Sequence, residues 1–124
     1  MRRIFTALLL ASLCATAYDD TSAFGKARTV LEVNCVECHT VEKAKGGLVM
    51  ESLAQLKTGG DSGTALVVGN TKESGIYMRV VLAADDDDRM PPKKHGPALP
   101  AEDIEVLKNW IEAGADWPEG ETLQ

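Results

Sequence analysis

Cys35 and Cys38 stand two residues apart in Asn34-Cys35-Val36-Glu37-Cys38-His39, with a histidine directly behind the second. The chain has three cysteines and two histidines in all, so this hexapeptide holds most of its thiol and imidazole chemistry. Three uses compete. A disulfide across C-x-x-C is the redox pair of thioredoxin-like proteins, but that fold sets the pair behind a strand, and the residues before Cys35 do not read as one. A closed zinc site takes four ligands, usually from two such pairs; with Cys14 expected to leave in a cleaved N-terminal segment, His95 is the one soft ligand elsewhere, which leaves the site short. Covalent haem attachment uses all three residues: two thiols add to the haem vinyl groups and the histidine swings beneath the iron as an axial ligand. Only this third use explains His39 as well as the cysteines.

A second axial position would then decide the chemistry. A methionine or histidine there closes the iron for electron transfer, and an open or weakly held position admits small ligands or peroxide. The candidates are Met50, Met78, Met90 and His95. Met78 neighbours apolar residues in a helical stretch and is expected in the core. Met50 follows His39 by eleven residues in an apolar run. Met90 stands in Asp85-Asp86-Asp87-Asp88-Arg89-Met90-Pro91-Pro92, a polar loop where an apolar side chain has no helical face to serve. Two prolines fix the backbone after it, and a stiff loop holds a sulfur in place at low entropic cost. The residues favour Met90 over His95, with gap-filling as the plain alternative for the sulfur. Arg89, Lys93 and Lys94 lie close by; haem propionates, a partner protein and solvent are all open as their surroundings.

The N-terminus reads as an export signal. Arg2 and Arg3 precede an apolar stretch from Ile4 to Leu13, and Ala15-Thr16-Ala17 has the form of a signal-peptidase site. Residues 1–17 are expected to be cleaved, leaving a single domain over 18–124 in the periplasm or another exported location. Leu13 argues against lipid anchoring at Cys14, because the position before a lipoprotein cysteine calls for a small residue. The whole chain carries 13 basic and 19 acidic residues; without Arg2 and Arg3 the balance is 11 against 19, a formal charge of −8. Such a chain offers no positive face for nucleic acid. Past the leader no stretch is long and apolar enough to span a membrane. The acidity suits docking on a basic redox partner protein.

Three helical stretches must position these groups. Ser22 to about Asn34 repeats Phe24, Ala27, Val30 and Leu31 at helical spacing, with Ser22 as a cap, and delivers the chain into Cys35. The glycine-rich stretch 44–70 reads as turns, with one or two helical turns over Ser52–Lys57. A second helix is expected from Asn70, where Glu73 three residues on suggests a capping box, to Ala83 or Ala84. The Asp85–Asp88 run opposes a helix C-terminal dipole and so reads as a solvated loop. The third helix runs from about Pro100 to Ala113, with Ile104, Leu107, Trp110 and Ile111 on one face and Gly114 as its stop. Trp110 is a packing residue, with a place against the haem edge as the sharper reading.

Taken in order, C-x-x-C-H, GGLVMESL, GGDSGTALVVGN, KESGIYMRVV, RMPP and LKNWIEAGADWP resemble the planctomycete-type cytochrome c domain over about residues 24–118. The resemblance implies an all-α, class I-like cytochrome c fold, its N- and C-terminal helices packed around one covalently bound haem c. It implies attachment through Cys35 and Cys38, axial ligation by His39, and Met90 of the R-M-P-P motif as the distal ligand. An electron carrier rather than an enzyme is the expected function. A haem enzyme or gas sensor with a weak or open sixth position, and a haem-free thiol oxidoreductase, are the other classes the residues allow.

Overall fold

A computed structural model describes residues 19–124. The expected signal segment, Cys14 included, lies outside the described residues. Four α-helices follow one another: α1 (Ala23–Asn34), α2 (Leu53–Thr58), α3 (Gly75–Val80) and α4 (Ala101–Glu112). Single 3₁₀ turns at Lys45–Gly47 and Lys93–His95 interrupt the long connections. Among the described residues the only β pairing is an isolated bridge between Gly60 and Gly63. The fold is all-α.

Helix α1 begins where the sequence signals it. The Ser22 hydroxyl accepts a hydrogen bond from the Gly25 N–H at 3.0 Å, satisfying one of the free donors of the first turn. Phe24, Ala27, Val30 and Leu31 are buried along one face, at the spacing that aligns side chains on a helix. That face meets α4, which buries Leu107, Trp110 and Ile111. α3 packs on α4 from another side. Each fully buried aliphatic of this centre contributes roughly 1.5–3 kcal/mol.

The end of α4 follows from Gly114. Its φ of +112° is a conformation that glycine adopts without Cβ strain. The Gly114 N–H then bonds the Ile111 carbonyl at 3.1 Å, and the Ala115 N–H reaches back to Trp110 at 2.8 Å. This pairing closes the last turn and sends the chain back across the helix. Trp117 thereby reaches Phe24, with ring centroids 5.0 Å apart, and Trp110 at 6.3 Å. The tail is held further on. Arg28 of α1 pairs with Glu121 at 2.6 Å, and the Leu123 N–H donates to the Glu51 carbonyl.

Two helix boundaries differ from the sequence reading. The second helix starts at Gly75, not Asn70. The Asn70 side chain does accept from the Glu73 N–H at 3.2 Å, but it closes a turn ahead of the helix. Ser74, fully buried, is the hinge: its hydroxyl donates toward the Asn70 and Val67 carbonyls (2.7 and 3.0 Å) and accepts from the Val67 N–H at 2.9 Å. The same helix stops at Val80, short of Ala83. The expected turns at Ser52–Lys57 are α2, with the Ser52 hydroxyl accepting from the Gln55 N–H at 3.3 Å.

Candidate functional site

The end of α1, the following loop, the 45–50 and 60–65 turns, α3 and the 90–100 loop enclose a cleft of about 600 Å³. That volume falls among cofactor-sized pockets, about 300–1,000 Å³. Leu31, Ile76, Leu99 and Leu107 give it apolar walls, and Cys35, Cys38 and His39 all line it. The helix and its cap bring this about. Cys35 is the C-cap of α1, its N–H bonded to the Leu31 carbonyl at 2.9 Å. The chain then turns tightly, with the Cys38 N–H on the Cys35 carbonyl and the His39 N–H on Val36. The trio is thus wound onto one wall.

His39 is held twice. Its Nδ1 lies 3.3 Å from the Leu48 carbonyl, and its own carbonyl accepts from the Met50 N–H at 2.7 Å. A carbonyl only accepts, so this contact places the proton on Nδ1. The Nε2 lone pair is left as the ring's available donor toward a metal. Leu48 is placed in turn by a close approach of two turns. A Cβ on Gly60 would stand 2.5 Å from the Gly46 carbonyl and 2.8 Å from the Leu48 nitrogen, so only glycine fits there.

The thiols are free. Burial, and then the neighbouring Cys38, push the Cys35 thiol up to about 12. Redox-active C-x-x-C pairs do the opposite: they lower a thiol at a helix N-terminus or beside a cation. Cys35 stands at the negative end of α1. The pair is badly placed for thiol–disulfide exchange.

All four candidate sixth ligands line the cleft, and their settings differ. Met50 is 2% exposed and belongs to the core beside the strap that holds His39. Met78 is not a core residue, contrary to expectation; it is 43% exposed. α3 turns Ile76 and Val80 inward, and a residue two positions from each points the other way. His95 is exposed on a 3₁₀ turn. Met90 is half-buried and tethered: its N–H donates to the Arg79 carbonyl, at the end of α3, at 3.2 Å.

Sequence reasoning missed Arg89. It is neither solvated nor on the cleft wall but 5% exposed, with its guanidinium on three backbone carbonyls. Lys93 instead reaches Asp87 at 2.7 Å, and Lys94, Lys45 and Arg79 are the cations that line the cleft. Trp110 is a packing residue as expected, but it does not line the cleft; its indole N–H is satisfied by the Asp116 carbonyl at 2.9 Å.

The residues fit a haem. Its apolar macrocycle matches the leucine and isoleucine walls, and its carboxylates match the lining cations. Thiols, an imidazole nitrogen and a thioether are the donor types that c-type attachment and ligation use. Val33 (73% exposed) and Met78 are large apolar side chains left uncovered on the cleft lining, as expected where an apolar ligand covers them.

Fold and site together are consistent with a small helical domain of the c-type cytochrome class. Residues 35–94 match the family model described as Planctomycete cytochrome C, and over that stretch the chain is similar to this family. Helices α1 and α4 lie outside the matched residues. No curated protein and no solved structure matches the chain. The likeness points to a haem-binding electron carrier.

Proposed function

We propose that this chain is an exported monohaem c-type cytochrome that transfers single electrons. Cys35 and Cys38 would hold haem c through thioethers, and His39 and Met90 would ligate its iron. Bound haem supplies an iron that cycles between ferric and ferrous states. The chain's own residues do the rest. Leu48 orients the imidazole. Leu31, Ile76, Leu99 and Leu107 exclude water, and a dry site raises the cost of the extra ferric charge. The tethered Met90 loop presents a thioether, a ligand that favours the ferrous state. A separate redox partner protein supplies or takes the electron, and the mature domain works without a membrane span. Among the described residues no helix is long and apolar enough to cross a membrane.

The observation that carries this reading is the His39–Leu48 contact in a cleft that both cysteines line. Intact mass of protein exported by a host with haem-attachment machinery tests it. One haem increment that survives unfolding, and begins after residue 17, is expected. A haem-free mass overturns it.

A further inference from the structure

The loop from Ala84 to Gly96 is short of backbone donors. Pro91 and Pro92 have no N–H, and Pro97 and Pro100 continue the shortage just beyond. Part-buried carbonyls in such a loop must find donors elsewhere. Arg89 supplies them. Its Nε donates to the Ala84 carbonyl at 2.6 Å, Nη1 to Pro91 at 2.6 Å and Nη2 to Gly96 at 3.0 Å. These three acceptors come from before Met90, from the residue directly after it, and from the far side of the Lys93–His95 turn. One planar cation therefore fixes both flanks of Met90.

The arrangement is unusual for a buried charge. Among the described residues Arg89 forms no ion pair with a carboxylate, and three carbonyl dipoles replace its solvation. Removing a buried cation from water is costly, and it is retained where its hydrogen bonds are complete. No other side chain meets the geometry. Lysine carries its donors on one nitrogen and cannot span acceptors on three sides, whereas a guanidinium spreads five N–H groups in a rigid fork. The neighbouring tie, Met90 N–H to the Arg79 carbonyl, anchors the hub to α3.

We propose that Arg89 is the positioning residue for the sixth iron ligand: its guanidinium locks the 84–96 loop so that the Met90 sulfur stays directed at the cleft. This rests on the reading of Met90 as axial ligand. Arg89 does not line the cleft; it acts through the loop.

The test compares holoproteins: wild type, Arg89→Lys, Arg89→Gln, Met90→Ala and the Arg89→Lys/Met90→Ala double variant. The ferric sulfur-to-iron absorption band is followed against pH, and cyanide affinity is titrated. Arg89→Lys keeps the charge but loses the fork. It should lose the band at a pH about one unit lower than wild type and bind cyanide about tenfold more tightly, the factor expected for losing one such bond. In the Met90→Ala background the same change should alter cyanide affinity less than about twofold, because no sulfur remains to be positioned. A tenfold effect in both backgrounds makes Arg89 a general stability residue and overturns the proposal. So does an Arg89→Lys variant with the wild-type band and affinity, which leaves the Met90 reading standing. A wild type without the band overturns both.

Should neither Arg89 variant accumulate, hydrogen exchange on wild type decides. The Arg89 Nε–H should exchange only as fast as the sulfur band is lost in mild denaturant. Exchange at the rate of an exposed guanidinium contradicts the lock.

Discussion

The His39 ring is oriented by the backbone carbonyl of Leu48, 3.3 Å from Nδ1. The contact joins the attachment loop to a turn nine residues on, and the Met50 N–H on the His39 carbonyl closes the same loop a second time. An imidazole held this way keeps one tautomer and one ring plane.

Gly60→Ala should loosen that contact without touching His39. The added Cβ would meet the Gly46 carbonyl and the Leu48 nitrogen and push the strap away. A loss of about 1–3 kcal/mol is expected, as for overpacking elsewhere. The thermal midpoint should fall and the reduction potential should shift. An unchanged potential and midpoint would show that the strap yields freely.

Met90→Ala should keep its haem, because the thioethers and His39 remain. It should lose the ferric sulfur band, lower its potential and gain cyanide affinity. Met50→Ala, Met78→Ala and His95→Ala should each keep the band. The informative rival is Met78, whose side chain also reaches the cleft. Loss of the band in Met78→Ala, with its retention in Met90→Ala, moves the ligand to α3.

How far the sequence exposes this architecture varies by element. Ser22, the α1 face, α4 and its Gly114 stop are legible because caps and helical periodicity are local signals. The Asn70–Glu73 pair misleads because a side-chain cap on one turn has the same sequence signature as a cap on a helix. What ends that turn is Ser74, whose partners Val67 and Asn70 lie on the chain's approach to it. Met78 misleads because apolar neighbours suggest a core, whereas a six-residue helix buries only one narrow face. Arg89 is invisible to periodicity; its acceptors are backbone carbonyls, which any residue provides. A buried arginine among prolines is nevertheless a signal of scarce donors.

Ser74→Ala should cost about 1–3 kcal/mol. It leaves the Val67 N–H without its side-chain acceptor and removes a donor from two carbonyls in a fully buried site. Denaturant midpoints of the holoprotein check this. A cost below about 0.5 kcal/mol would show that water enters and replaces the hydroxyl.

Arg28→Ala should release the C-terminal tail. Arg28 pairs with Glu121 at 2.6 Å and Glu32 at 2.9 Å in a partly buried setting. A loss of about 1 kcal/mol is expected, and protease should trim the tail sooner while the haem spectrum stays unchanged. A spectrum that changes with the tail would tie these residues to the cleft instead.

Cys35→Ala with Cys38→Ala should yield an exported chain with no covalent haem and little folded protein. A domain this small has a marginal core, and a ligand that binds only the folded form adds its binding free energy to stability. Far-UV circular dichroism and a thermal scan read the outcome. A cooperatively folding, colourless double variant would show that α1, α3 and α4 suffice without the cofactor.

The absorption spectrum of the wild-type holoprotein, recorded in both oxidation states and again after acid–organic extraction, tests the central claim most directly. The predicted result is a low-spin, six-coordinate haem with a ferric sulfur-to-iron band, whose colour stays with the protein on extraction. A haem that is extracted would contradict covalent attachment through Cys35 and Cys38, and a five-coordinate high-spin spectrum or no haem at all would contradict His39–Met90 ligation and the electron-carrier reading built on it.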